Sequence, residues 1–399
     1  MFNRESFDSG HFRPVQSGIY LSVPEGNYLP MTRRHDARRM DVLRQLRTRR
    51  LMFLRRTGTG DPAHMPFFVS LLIGVLFLAS PSFAQWKVTG ESNVYYTDDA
   101  ALFSSTRRLS RNQDPTQPVI DSLLANQGDD VVFEPTAHIM KSFSLMGRPT
   151  ELGVRGQGFV FTNNTQFNHG SLSVEASHNL TSTTALLMRY FFGPDLFLGK
   201  NEVRPLEESD GNPPQVKNEE VTTNYWAGGL AQQIPGVDDL RLILYGRYGL
   251  RDYDKPFRQR DTRFWTIGTH MEWAPTQKIE LALGYHYERG LADGRKQPEL
   301  QDDTSYFNHF VTGEFEYEIT ERLSLEMGLH YEFNGWTTGI QGDERKGQHE
   351  NVIQGDIASR YRVNEILQIT AGFQGSHRKE SFEKGLKNLN TWLGAKLTF

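Results

Sequence analysis

The 399-residue chain has no cysteine. That removes disulfide scaffolds, thiolate metal sites, cysteine nucleophiles and lipoprotein acylation. Lysine is missing from residues 1–64, although twelve arginines and six acids lie there. No apolar run is long enough to suggest a polytopic helical membrane protein, and mean hydropathy is low at −0.55. Formal charge is only −4, which argues against nucleic acid as a partner. Aromatics, by contrast, reach 12% and glycine numbers 36. The first 64 residues carry +6, so the remainder carries −10. A basic head on an acidic body points to a targeting segment.

Phe67–Ala79 is continuously apolar over about thirteen residues. This suits the hydrophobic region of a signal peptide and is short for a bilayer-spanning helix. Pro81 follows, and Ser82 and Ala84 place small residues before a cleavage point after Ala84. Arg55 and Arg56 supply the positive flank. An uncleaved anchor is the competing reading. Met31, Met40, Met52 and Met65 are alternative starts, and Met52 gives a signal of ordinary length. The sequence therefore divides into a non-native or disordered extension at 1–51, a signal peptide at 52–84 and the mature chain at 85–399.

The mature chain alternates at period two. In Lys278–Glu288, Ile279, Leu281, Leu283, Tyr285 and Tyr287 share one face, opposite Glu280, His286 and Glu288. Leu323–Asn334 repeats the pattern. Fourteen strands are predicted near 86–96, 130–143, 150–163, 169–180, 183–193, 220–233, 239–252, 259–274, 278–290, 304–319, 322–335, 350–363, 366–378 and 387–399. Connections alternate between short turns and longer loops, the longest at 97–129 and 194–219. This predicts an all-β, antiparallel up-and-down transmembrane β-barrel, with short turns and both termini in the periplasm. Lipid offers the backbone no hydrogen bonds, so spanning strands must close on themselves. A soluble sandwich would also show one apolar face, but not the loop alternation or the export signal. Tyr95, Tyr96, Tyr190, Phe192, Tyr225, Tyr285, Tyr287, Tyr306, Tyr331 and Phe333 cluster near the long loops, and Trp86, Trp273 and Phe399 near the short turns. They read as two aromatic girdles.

The last strand, Asn388 to Phe399, alternates Leu389, Thr391, Leu393, Ala395, Leu397 and Phe399 on one side. Over 85–399 the chain resembles the Gram-negative outer-membrane β-barrel (porin-like) class. The resemblance implies that terminal Phe399 is the signal read by the barrel-assembly machinery. It also implies residence in the outer membrane, in contact with lipid and lipopolysaccharide.

With apolar stripes outward, the inward face would carry Arg155, Arg189, Arg241, Arg247 and Arg251 on early strands, with Glu175 the exception. Later strands would contribute His270, Glu272, Glu280, His286, Glu288, Glu314, Glu316, Glu318, Glu326, His330 and Glu332, then Asp356, Arg360 and Arg362. Two facing arcs of opposite charge would orient dipolar solutes and order water. A merely wet wall, or ion pairs that close the interior, are the plainer alternatives. The pairs His270/Glu272, His286/Glu288 and His330/Glu332 have the spacing to share a metal, but convergence is not evident, so no metal or cofactor is expected. Ser171, Ser173 and Ser177 lack a surrounding motif, so no catalytic residues are assigned. The expected role is passage of small hydrophilic solutes. Alternatives are polysaccharide export along an arginine ladder at 155, 189, 241 and 247, a surface or adhesin barrel working through its loops, or a barrel hydrolase. Segment 97–129, with Arg107, Arg108 and Arg111, and segment 194–219, with Glu207, Glu208, Asp210, Glu219 and Glu220, could constrict the pore or bind lipopolysaccharide.

Overall fold

The computed structural model describes residues 85–103, 128–203, 215–381 and 385–399. The expected extension at 1–51 and signal peptide at 52–84, with cleavage after Ala84, lie outside the described residues. So do most of segment 97–129 and part of segment 194–219.

Fourteen strands follow one another: β1 (Gln85–Thr97), β2 (Asp130–Leu145), β3 (Arg148–Phe161), β4 (His169–Asn179), β5 (Thr184–Glu202), β6 (Val216–Gln233), β7 (Leu240–Tyr253), β8 (Thr262–Thr276), β9 (Ile279–Ala292), β10 (Tyr306–Thr320), β11 (Leu323–Trp336), β12 (His349–Arg362), β13 (Leu367–Glu380) and β14 (Leu386–Thr398). Each pairs antiparallel with its sequence neighbours, and β1 pairs with β14, so the sheet is a closed barrel. The seam places Val94 opposite Leu393 and Tyr96 opposite Thr391. Val88 and Phe399 exchange backbone hydrogen bonds of 2.9 and 3.0 Å. Among the described residues every strand has a partner on both sides, as a lipid environment demands.

The alternation read from sequence sets the two faces. Outward positions such as Leu244, Leu329 and Leu393 are exposed, 64, 58 and 65% respectively, whereas their strand neighbours are far less so. An exposed apolar wall around a buried polar interior is the inverse of a water-soluble barrel. Together with closure, it gives the chain the architecture of the outer-membrane β-barrel class.

Three details depart from the sequence reading. β5 continues nine residues past the expected end at 193 to Glu202. Gly193-Pro194-Asp195 reads as a turn, yet it forms an irregularity within the ladder, with register shifts at Gly193/Leu196 and Phe197/Gly199 and Asp195 at φ 44°. Leu196, Phe197 and Leu198 beyond it are buried. Second, Tyr95, Tyr225 and Tyr306 do not belong to the outer girdle. Tyr95 and Tyr225 are 2 and 3% exposed, and the Tyr306 hydroxyl reaches the inward Glu288. Period two explains this: Tyr95 and Tyr96 are adjacent and must point to opposite faces. Third, short 3₁₀ turns lie in the longer connections, at Thr165–Phe167, Lys255–Arg260, Asp293–Lys296 and Pro298–Leu300.

A closed barrel of this kind resists detergent until heated. The unboiled protein is expected to migrate differently from the boiled protein on an SDS gel; identical mobility together with release from membranes by salt alone would refute the spanning barrel.

Candidate functional site

The pairing register puts inward residues of successive strands at shared heights. Arg247 lies opposite Thr266, Thr266 opposite Glu288, Glu288 opposite Asn308 and Asn308 opposite Asn334. Glu288, fully buried, is the hub of this row. It binds the Arg247 guanidinium, accepts hydrogen bonds from Thr266 and Tyr306, and pairs with Arg251 at 3.3 Å. The Arg251 guanidinium also meets the Tyr306 hydroxyl and lies 4.3 Å from the Phe264 ring centroid. Farther round, Asn308 donates to Glu332 at 2.6 Å, and Arg378 pairs with Glu350 at 2.9 Å. Each buried charge here is matched by an opposite charge or a donor, as its removal from water requires.

The neighbouring row holds the histidines. His270 and His286 meet through their Nε2 atoms at 2.7 Å, with the Tyr245 ring against both. Gly284 makes this approach possible: a Cβ there would fall 2.6 Å from the His270 ring. His330 contacts the Thr312 hydroxyl at 2.8 Å and Asp356 at 3.4 Å. The three His/Glu spacings thus separate by partner. Glu272 goes to Arg241 at 3.2 Å, Glu288 to Arg247 and Arg251, and Glu332 to Asn308. Among the described residues no group of three or more such ligands converges. Ser173, one of the three serines considered, donates to Glu175 at 3.3 Å.

Toward the short-turn end, Glu280, Glu316 and Glu326 lie side by side on β9, β10 and β11. Arg360 binds Glu326 and reaches Glu316 at 3.5 Å. Glu314 shares this face two residues farther along β10, and Arg155 lies on the inward face of β3, opposite Ser173. The arcs of opposite charge are therefore placed differently from the facing arrangement expected. Arg189 meets Glu175, Arg241 meets Glu272 and Arg247 meets Glu288 at 3.5 Å or less. The last arginine strand, β7, adjoins the first glutamate strands, so the charges meet side by side and much of the transverse field is cancelled.

Sequence reasoning missed an apolar cluster on this same inward face. The turn Ala100–Phe103 folds onto Tyr95, Phe159 and Phe161, and Phe103 is fully buried. Its ring centroid lies 5.1 Å from that of Tyr95 and 5.9 Å from that of Phe161, while Tyr95 lies 5.6 Å from Trp392. Asp99 caps the turn by accepting from the Ala101 and Leu102 amides at 3.0 and 3.2 Å. Asn388 of β14 donates to Asp98 at 2.7 Å and to Thr97 at 3.0 Å. The available signal was parity, since Tyr95, Phe159 and Phe161 occupy inward positions. A second inward apolar group, Ala185, Leu187, Ala231 and Ile243, lies on β5–β7.

At the loop end, a cavity of about 70 Å³ is lined by Arg251, Tyr253, Arg260, Tyr306, Trp336 and Arg345, among others. Arg260 bridges Glu219 at 2.6 Å and Asp302 at 2.8 Å, and Arg345 adds a contact to Asp302 at 2.9 Å. Burial alone would raise the Asp302 carboxyl, but Arg260 and Arg345 hold it down, to about 2. Nearby, burial pushes the Asp261 carboxyl up to about 6.

No known protein family matches the sequence, and no characterised protein is detectably similar to it. Solved structures with a related outline include the outer membrane channel DcaP of Acinetobacter baumannii (10% identity, TM-score 0.48, covering 81% of this chain and 99% of that one). A Pseudomonas aeruginosa FadL homologue matches at 9% identity and TM-score 0.41, over 80% of this chain and 90% of its own. OmpT of Vibrio cholerae matches at 8% identity and TM-score 0.38, over 81% and 99%. The barrel itself rests on the strand pairing and not on these likenesses.

Two outcomes follow from the charge network. Glu288→Ala removes the carboxylate shared by two buried guanidiniums and is expected to cost about 3–5 kcal/mol, read as a lower urea midpoint. Asp302 has a folded value below its ordinary 3.8, so its contribution is present above that pH and is lost as pH falls toward 2. Hydrogen exchange across 255–261 and 293–305 should accelerate in that window, and Asp302→Asn should remove the change.

Proposed function

We propose that the protein is an outer-membrane channel for small hydrophilic solutes, exported by a signal peptide cleaved after Ala84 and inserted by the barrel-assembly machinery through Phe399. The polar row from Arg247 to Asn334 carries this reading. It lies on the inside of a wall whose outside is apolar, with its charges paired among themselves, and the half-buried Arg155, Glu280, Glu314 and Glu316 on the same face are the groups that meet a solute. The solute moves by diffusion along the inward face. Arg155, Arg189, Arg241, Arg247, Glu280, His286, Glu288, Glu314, Glu316, Glu326, His330, Glu332 and Arg360 are the proposed pore-lining residues.

Selectivity follows from the balance of charge along the inward face. Glu280, Glu316 and Glu326 form a row beside Arg360, so the short-turn end is biased toward cations. The apolar turn carrying Phe103 narrows the opposite end. Export of an anionic polysaccharide loses support, because Arg189, Arg241 and Arg247 of its ladder already meet carboxylates.

Protein in a planar bilayer across a salt gradient should show steady openings with a cation-selective reversal potential. Glu316→Gln with Glu326→Gln should move that potential toward zero, and Phe103→Ala should raise conductance. A folded barrel that stays silent both as wild type and as Phe103→Ala would overturn the channel and favour a surface role through the loops. Deleting Phe399 should lower the amount in the outer membrane; unchanged levels would reject the assembly signal.

A further inference from the structure

The outward face at the loop end is divided by charge. On β5–β7 and the turn after them it carries Asp195, Glu220, Asp252 and Asp254. From β8 to β14, no outward strand position holds a carboxylate, and Arg263, Arg289, Lys379 and Lys387 stand at the rim, where Asp252 of β7 is diagonal to Arg263 and Asp261 and Asp293 meet just beyond it. Register groups these cations in two pairs. Arg263 faces Leu291 while Arg289 faces Trp265, which makes the arginines diagonal neighbours on β8 and β9. Lys387 faces His377, two residues before Lys379, which does the same for the lysines on β14 and β13. Diagonal neighbours of this kind lie about 7–8 Å apart.

The contrast with the interior is chemical. The inward arginines Arg189, Arg241, Arg247 and Arg360 each meet a carboxylate. Among the described residues, none of the four rim cations forms an ion pair within 4.0 Å. Directly below the arginines runs a band of touching rings. Trp265 meets Tyr287 at 5.5 Å, Tyr287 meets His309 at 5.2 Å, Phe307 meets Phe333 at 5.8 Å, and Phe333 stacks on His349 at 5.7 Å. Such a band marks the level where acyl chains give way to headgroups. The unpaired cations stand just beyond it, on the side of the longer loops.

We propose that the outer rim of β8–β14 is a binding site for the phosphates of an outer-leaflet glycolipid of the lipid A type. Arg263 and Arg289 take one phosphate as a two-guanidinium clamp, and Lys379 with Lys387 takes another. The acyl chains lie along the outward leucines and isoleucines below the ring band. The acidic arc on β5–β7 repels the same headgroup, so the glycolipid is held on one side of the barrel. The inference rests on outer-membrane placement and is independent of solute passage.

The test uses protein purified from the outer membrane, delipidated, and titrated in native mass spectrometry with three probes: bisphosphorylated lipid A, the same lipid without phosphates, and phosphatidylglycerol. Bisphosphorylated lipid A should bind at least about tenfold more tightly than either other lipid. Arg263→Gln, Arg289→Gln, Lys379→Gln and Lys387→Gln combined should abolish that preference. Lys278→Gln, which removes an exposed cation in the short turn between β8 and β9, should keep it. Heat-dependent gel mobility checks that each variant is folded; if the combined variant is not, the arginine and lysine pairs are changed separately, each with an expected partial loss. Equal affinity for the dephosphorylated lipid or for phosphatidylglycerol overturns the site, as does an undiminished preference in the folded variants. Failure to recover the protein from the outer membrane would instead refute its placement.

Discussion

Every backbone donor and acceptor in a lipid-facing sheet must find a partner within the sheet, and that single demand organises this molecule. It makes the seam between the first and last strands obligatory, and it turns the apolar side of each strand outward. Because the chain alternates at period two, turning one side outward also fixes the other. The interior is therefore whatever the remaining positions carry. In this chain those positions carry many arginines, glutamates and histidines, and they satisfy one another locally.

This dependence explains what could be read in advance. Strand number, order, antiparallel pairing and loop alternation follow from periodicity and turn residues alone, and all are found. Facing follows from parity as well, and Arg247, Glu288 and His330 are buried on the inward face. What they touch does not follow. Register decides that Arg247, Thr266 and Glu288 share a height, and no local pattern in β7, β8 or β9 announces their register. A difference of two residues would have separated them. The expected arcs facing across the lumen gave way to side-by-side pairs for this reason.

The other misreadings have distinct causes. Gly193-Pro194-Asp195 has turn chemistry, yet the apolar Leu196-Phe197-Leu198 beyond it gains by burial, so the strand bends and continues. Residue type alone puts Tyr95 and Tyr225 in a membrane girdle, whereas parity puts them inside. The Phe103 turn was hidden because a few apolar residues at the start of a long polar segment look like the end of a strand. Its partners Phe159 and Phe161 come from β3, and no sequence spacing connects them.

The Asp98–Asn388 contact joins positions 290 residues apart, beside the first and last strands of the barrel. Asn388 belongs to β14, the strand that closes the ring against β1. The turn at Ala100–Phe103 can therefore gain its latch only when the final strand has joined the first. Closure of the wall and seating of the turn become one event, and the mouth stays unlatched until the seam between β1 and β14 has formed.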